Sequence, residues 1–276
     1  MGNEEQARYW SEVAPGWVEA EQRTELIGGA PGRLAMDRLD LRPGLRLLDI
    51  GCGTGGTTVE LALRTSPGGT AVGLDIAPGM LARARERAKS AAVELLHGDA
   101  QQLDLGASSF DAAFSRFGVM FFDDATKAFA NVRRALRPGG RLAFVCWRGL
   151  DRNDWMRIPA TAATSVLGAP LSVPHGDGPG PFSLANPDRI RSVLGSAGFR
   201  DIDVSPQNDR LSFPVARVPE FAVDSTAHGA VREALRSADE ATCSRVQAAI
   251  EAALVAEVDD GQVHLSRGFH VVTAAT

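Results

Sequence analysis

The 276-residue chain lacks most of what would tie it to a metal, a membrane or nucleic acid. It has only three cysteines, Cys52, Cys146 and Cys243, far apart and odd in number. No pair shows the C-x-x-C spacing of a metal knuckle or redox motif, so no metal site is expected. Thiols so placed read as reduced, in a cytoplasmic chain. No run approaches the roughly 18 apolar residues of a membrane span. The stretch from Met1 to Trp10 is polar and acidic and does not read as a secretion signal. Positive charge is in short supply as well. Lysine occurs only at Lys89 and Lys127, and 29 Lys+Arg against 34 Asp+Glu leave a net charge of −5. That balance gives no footprint for nucleic acid or an anionic lipid surface. Internal repeats and low-complexity tracts are missing too.

What is present is a rhythm. Apolar residues make up 44% of the chain, enough for a buried core. Short apolar runs at 45–50, 70–75, 93–96, 110–115 and 141–147 read as strands. Helical patterns lie between them, over 57–64, 80–89 and 125–136. Pro78 is placed to begin the second helix, and Arg137-Pro138-Gly139-Gly140 reads as a turn that ends the third. Strand–helix alternation predicts an α/β fold, a parallel sheet with helices on both faces. Such sheets bind ligands beyond the carboxyl ends of their strands, where the strand order reverses. After Trp147 the rhythm breaks. Residues 153–167 read as a helix, 168–181 as a long glycine- and proline-rich loop, and 186–197 as a capped helix. A sixth strand is expected at 201–204, an acidic helical segment at 218–258, and a last strand at 262–274.

The chemistry centres on Leu48-Asp49-Ile50-Gly51-Cys52-Gly53-Thr54-Gly55-Gly56. Gly51, Gly53 and Gly56 spell G-x-G-x-x-G, which on its own points to a dinucleotide and a nicotinamide oxidoreductase. Asp49 argues against that reading, because a carboxylate there repels a pyrophosphate seated on the helix N-terminus. It suits a cationic group instead. Asp75 ends the second strand, where it can accept from both ribose hydroxyls, and Asp99 ends the third, where it can accept from an exocyclic adenine amine. Three acids at three successive strand ends define a ligand with an amine, a ribose and an adenine. S-adenosylmethionine (SAM) has these groups and no phosphate.

At these residues the sequence resembles the class I SAM-dependent methyltransferases, especially the small-molecule branch that includes quinone-biosynthesis and natural-product enzymes. The matching pieces are residues 47–55, 73–81, 98–100, 110–116 and 136–142. The resemblance implies a Rossmann-like doubly wound sheet of seven strands with the last strand antiparallel, plus helical lid insertions. The expected organisation is a single domain over 1–276, with a helical lid at 1–40 and cover insertions at 149–185 and 205–261. The resemblance also implies the cofactor set. Gly51, Gly53, Thr54 and Gly55 would approach the ligand, and Asp49 would hold its ammonium. Asp75 would bind the ribose, and Ile76 and Met80 would pack on the adenine. Asp99 and Ala100 would take the adenine amine. Ser115 would offer a carbonyl near the methionine end, and Phe117 would sit where cofactor and acceptor meet.

Trp10 and Trp17 share a helical face and read as a lid over the cofactor or as core packing. Arg116, Met120, Trp147, Trp155 and Phe182 are the acceptor candidates, and they imply an apolar acceptor. Arg116 could equally pair with a nearby acid. His175 and His228 are the candidate bases for an oxygen acceptor. His97, His264 and His270 read as structural, and Cys52 as a packed small residue. The basic run Arg83, Arg85, Arg87 and Lys89 reads as a solvated helix face. The expected partners are the small-molecule acceptor and, left open, a second copy of the chain. The expected activity is methyl transfer to an oxygen, nitrogen or carbon nucleophile. The alternatives are a SAM-binding enzyme of non-transfer chemistry, such as cyclisation, and a non-catalytic SAM-binding protein.

Overall fold

A computed structural model describes residues 3–89, 92–171, 176 and 178–276. Two helices come first, α1 (Glu4–Glu19) and α2 (Glu21–Met36). The alternating part follows as β1 (Arg46–Ile50), α3 (Gly56–Arg64), β2 (Thr70–Asp75), α4 (Pro78–Arg87), β3 (Val93–His97), β4 (Phe110–Arg116), α5 (Ala125–Ala135) and β5 (Leu136–Trp147). The remainder is α6 (Asp154–Leu167), α7 (Pro187–Ser196), β6 (Arg200–Pro214), α8 (Val218–Thr226), α9 (Gly229–Leu235), α10 (Glu240–Val255), β7 (Val258–Asp259) and β8 (Gln262–Ala275).

The sheet runs in the order β3-β2-β1-β4-β5-β8-β6, with the two-residue β7 paired to β8 off this path. Strands β1 to β5 pair in parallel, and β8 runs antiparallel to β5 from Arg141↔Ala275 to Trp147↔Phe269. Strands covered on both faces must be apolar throughout, and Leu142 to Cys146 are all fully buried. From β1 the chain builds outward to β2 and β3, then returns to lay β4 on the other flank of β1. The order therefore reverses between β1 and β4, and the crevice for a ligand lies beyond Ile50 and Arg116.

The chain divides into two compact units. The first holds 1–147, 175–206 and 269–276, and the second holds 148–174 and 207–268. Much of the two segments expected as cover insertions falls in the second unit. In it α6 packs on α10, and Ile158, Ala162 and Ala163 of the one and Val246, Ile250 and Leu254 of the other are buried. Phe213 stacks on Phe221 with ring centroids 4.8 Å apart. Arg267, almost fully buried, makes a two-pronged ion pair with Asp209 at 2.7 and 2.6 Å.

Two local expectations change. The sixth strand is 15 residues long rather than four. Its outer half alternates, with Leu211 and Phe213 buried between exposed Arg210, Ser212 and Pro214, which is the pattern of a half-covered strand. The Arg137–Gly140 turn is absorbed into β5 as a bulge. The register jumps from Phe110↔Leu136 to Ala112↔Arg141, and Gly139 takes a φ of 77°.

Candidate cofactor site

Asp49 sits at the penultimate position of β1 and is fully buried. Its Oδ2 accepts from the hydroxyls of Thr57 and Thr58, at 2.7 and 2.6 Å. Its Oδ1 is buried with no hydrogen-bond partner among the described residues. Burial pushes the Asp49 carboxyl up to about 6; the two hydroxyls and Arg116 oppose that shift, and Asp75 adds to it. A buried, half-satisfied carboxylate is costly unless something completes it.

The loop after β1 is pinned by two donors, Gly51 N and Cys52 N, which share the Leu74 carbonyl at 2.8 and 3.0 Å. Gly51, Gly53 and Gly55 all have positive φ. Their surroundings differ. A Cβ on Gly51 would come within 2.9 Å of Gly118 Cα, and one on Gly55 within 2.9 Å of Ala84 Cβ. A Cβ on Gly53 would meet nothing within 4 Å. Of the three, only Gly53 faces open space. Cys52 is buried, and burial followed by the nearby Asp49 and Asp75 raises its thiol far above the usual range. It is a packed side chain, not a nucleophile.

Asp75 ends β2. Its Oδ2 accepts from Gly53 N and its Oδ1 from Ala77 N, both at 2.8 Å, and burial raises its carboxyl. The backbone donors of Ala77, Gly53 and Ile76 oppose that shift. Asp99 is differently engaged. Its oxygens accept from Gln101 N at 3.0 Å, Gln101 Nε2 at 3.0 Å and Gln102 Nε2 at 3.2 Å, closing its own turn. Ala100 is buried beside it, and its carbonyl is taken by Asn131 Nδ2. The Ile76 carbonyl lies 3.1 Å from His97 Nε2.

Helices α1 and α2 lie over this end of the first unit. Trp10, Trp17 and Val18 pack on Ala14, Ala77 and Met80, so Met80 is covered by α1. Trp10 also meets Trp17 at 5.6 Å and Phe121 edge-on at 4.8 Å. On α2, Glu21 pairs with Arg83 at 3.0 Å and Arg87 at 2.6 Å; burial opposes ionisation of its carboxyl, but Arg83, Arg87 and the Thr54 side chain hold it below the usual range. Two members of the basic run are thus used by α2 rather than left to solvent. Glu25 pairs with Arg116 at 2.7 Å and with Arg33 at 2.8 Å. Burial opposes ionisation of Glu25, but the two arginines outweigh it and hold its carboxyl below the usual range. Of the two readings left open for Arg116, the structure shows the ion pair.

Ser115 contributes by its side chain. Its Oγ donates to the Ile50 carbonyl at 2.7 Å and accepts from Gly118 N at 3.2 Å, tying β1 to β4 across the reversal point. Phe117 has a φ of 62°, a rare conformation for a bulky side chain. Its ring lies on Trp147. Met120 Sδ accepts from Trp147 N at 3.3 Å, and its carbonyl accepts from Ser183 Oγ and Gly180 N. Phe182 is buried in the same unit. Trp155 belongs to the second unit, where its Nε1 donates to Asn153 Oδ1 at 3.0 Å. His228 also lies there, with Nδ1 2.7 Å from the Asp224 carbonyl at the turn between α8 and α9. His175 falls outside the described residues.

Sequence reading missed Thr57, Thr58, Gly118 and the Glu25 partner of Arg116. Two hydroxyls in the first turn after an acid-bearing strand were the available signal for the threonines. The other two depend on contacts made far along the chain.

Among the described residues there is no group of three or more His, Cys, Asp or Glu side chains arranged to hold a metal ion. None of their helices is long and apolar enough to cross a membrane. Residues 48–144 match a methyltransferase domain family. An O-methyltransferase of Pyrenophora dematioidea is 32% identical over 68% of this chain and 67% of its own length. The nocamycin O-methyltransferase of Saccharothrix syringae is 40% identical over 40% of each chain. The chain spans between a third and two thirds of the length of the curated relatives it matches. The fold is similar to that of Haemonchus contortus phosphoethanolamine N-methyltransferase 2 solved with S-adenosyl-L-methionine. That match has a TM-score of 0.55 and 22% identity, over 90% of this chain and 52% of the other. Together with the loop beyond β1, these likenesses show that the chain belongs to the class I SAM-dependent methyltransferases.

Proposed function

We propose that this chain transfers a methyl group from SAM to a small, largely apolar organic acceptor. The observation that carries the proposal is the buried Asp49 carboxylate, with one oxygen unpartnered, next to the open face of Gly53. A cationic, adenosine-bearing ligand completes what the loop leaves unsatisfied. Asp49 would hold its ammonium and Asp75 its ribose hydroxyls, with Gly53 giving backbone access. The turn around Asp99 and Ala100 would border the adenine. SAM supplies an activated methyl on a sulfonium, so the protein's task is mostly proximity and alignment.

The chain's own residues would do that work as follows. Ser115 holds the ends of β1 and β4 in fixed register. Phe117 and Trp147 present an apolar wall for the acceptor. Residues 1–40 serve as a lid: Trp10 and Trp17 cover the Ala77–Met80 side, and Glu25 latches α2 to Arg116. Excluding water there protects the donor from hydrolysis. The names of the two curated relatives favour an oxygen acceptor.

Titration calorimetry with SAM and S-adenosylhomocysteine tests the cofactor assignment, and absence of binding by both ends it. Mass spectrometry of candidate acceptors tests transfer. One added methyl with matching S-adenosylhomocysteine supports it. A changed product with no added methyl supports the cyclisation-type alternative.

A further inference from the structure

Thr57 and Thr58 are neighbours in the first turn of α3, yet both hydroxyls reach one atom, Asp49 Oδ2. A carboxylate oxygen offers two lone-pair directions, so two donors saturate Oδ2. Oδ1 shares the same burial and has no partner. Both threonines are buried, with Thr58 fully enclosed, so their hydroxyls have no water to turn to. A Cβ on Gly73 would sit 2.9 Å from both Thr58 Oγ1 and Cys52 Sγ, which shows how little room the Thr58 hydroxyl has to move. The carboxylate plane is therefore fixed, with one end closed and the other bare.

Building on the methyl-donor reading above, we propose that Thr57 and Thr58 are positioning residues for the cofactor: their paired hydroxyls clamp Asp49 so that Oδ1 alone receives the ammonium of an adenosyl amino acid. Bonds to the charged form also favour that form. Other groups face the same carboxylate. From β2, Asp75 opposes its ionisation. From β4, Arg116 favours it, with Glu25 of α2 sharing the Arg116 charge. From the loop, Cys52 stays a neutral thiol. The two hydroxyls are the direct donors within this set.

The test uses two ligands that differ at the group in question. S-adenosylhomocysteine carries the ammonium, whereas 5′-methylthioadenosine keeps the nucleoside and lacks the amino-acid end. Calorimetric affinities are measured from about pH 5 to about pH 8 for the wild type, Thr57→Val, Thr58→Val and the two serine variants. Each valine variant is expected to weaken S-adenosylhomocysteine about tenfold, the scale of a lost hydrogen bond to a charged group. It should also move the pH at which that affinity falls upward by about one unit. Methylthioadenosine affinity should stay within about twofold, which also reports that the variant is folded, and serine should restore both properties. Where valine is not accommodated, alanine takes its place. Equal weakening of both ligands, or an unmoved pH midpoint, overturns the clamp. A wild type that binds neither ligand overturns the methyl-donor reading beneath it.

Discussion

The Phe117 ring lies flat on Trp147, with centroids 3.7 Å apart and planes 11° from parallel. Phe117 reaches that position from a left-handed backbone, φ 62°. A residue with a Cβ gives up about 1 kcal/mol or more to stay there. Phe117→Ala loses the stack and keeps the strain, whereas Phe117→Gly loses the stack and relieves it. Urea denaturation should therefore show the glycine variant more stable than the alanine variant by about 1 kcal/mol. The opposite order would mean that the backbone is not strained in solution.

The helix α2 depends on glycine where it meets Arg116. A Cβ on Gly32 would stand 2.7 Å from Arg116 Cδ, in a side chain already held by Glu25. Gly32→Ala should loosen α2, read as about tenfold faster amide exchange across that helix with β1 to β5 unchanged. Gly195 in α7 has no atom within 4 Å of its added Cβ. Gly195→Ala should stabilise the protein by up to about 1 kcal/mol, because only helix propensity changes.

Asp49 sets a pH dependence of definite sign. Its carboxyl is raised from 3.8 to about 6, so the folded free protein holds that proton more tightly than the unfolded chain does. The stability this confers is complete below pH 3.8 and is lost as pH rises through about 6, a swing of about 3 kcal/mol. A ligand ammonium reverses the preference by favouring the ionised form. The Tm rise on adding S-adenosylhomocysteine should be larger at about pH 7.5 than at about pH 5, with affinity about tenfold weaker at the lower pH. A flat profile would separate Asp49 from the ammonium.

The three thiols should behave differently. Cys52 and Cys146 are buried, and burial raises both thiols. Cys243 is partly exposed. Mass spectrometry after iodoacetamide treatment of the native protein should find a single label, at Cys243, and three labels after unfolding in urea. Labelling of Cys52 in the native state would mean that the loop beyond β1 opens.

The sheet was legible because its strands are short apolar runs and its helices begin at marked positions such as Pro78 and Asn186. Asp49 was legible as a charge placed where a phosphate-binding loop cannot have one. The outer half of β6 was not, since a strand covered on one face carries as many polar as apolar residues, and the segment around it reads as helix. The Arg116–Glu25 pair was invisible for another reason: its partners lie 91 positions apart, and no local period links them. The division into two units was equally hidden, because α6 and α10 are joined only through packing.

The glycine loop separates two kinds of inheritance. Gly51 and Gly55 are required by Gly118 and Ala84, that is, by the fold itself. A descendant of this chain that had abandoned its cofactor would still need both, and would still display most of the motif. Asp49 is under no such obligation, since its burial burdens the free protein. In a degenerating lineage the acid should disappear while the glycines persist, so the acid is the better diagnostic of a working enzyme.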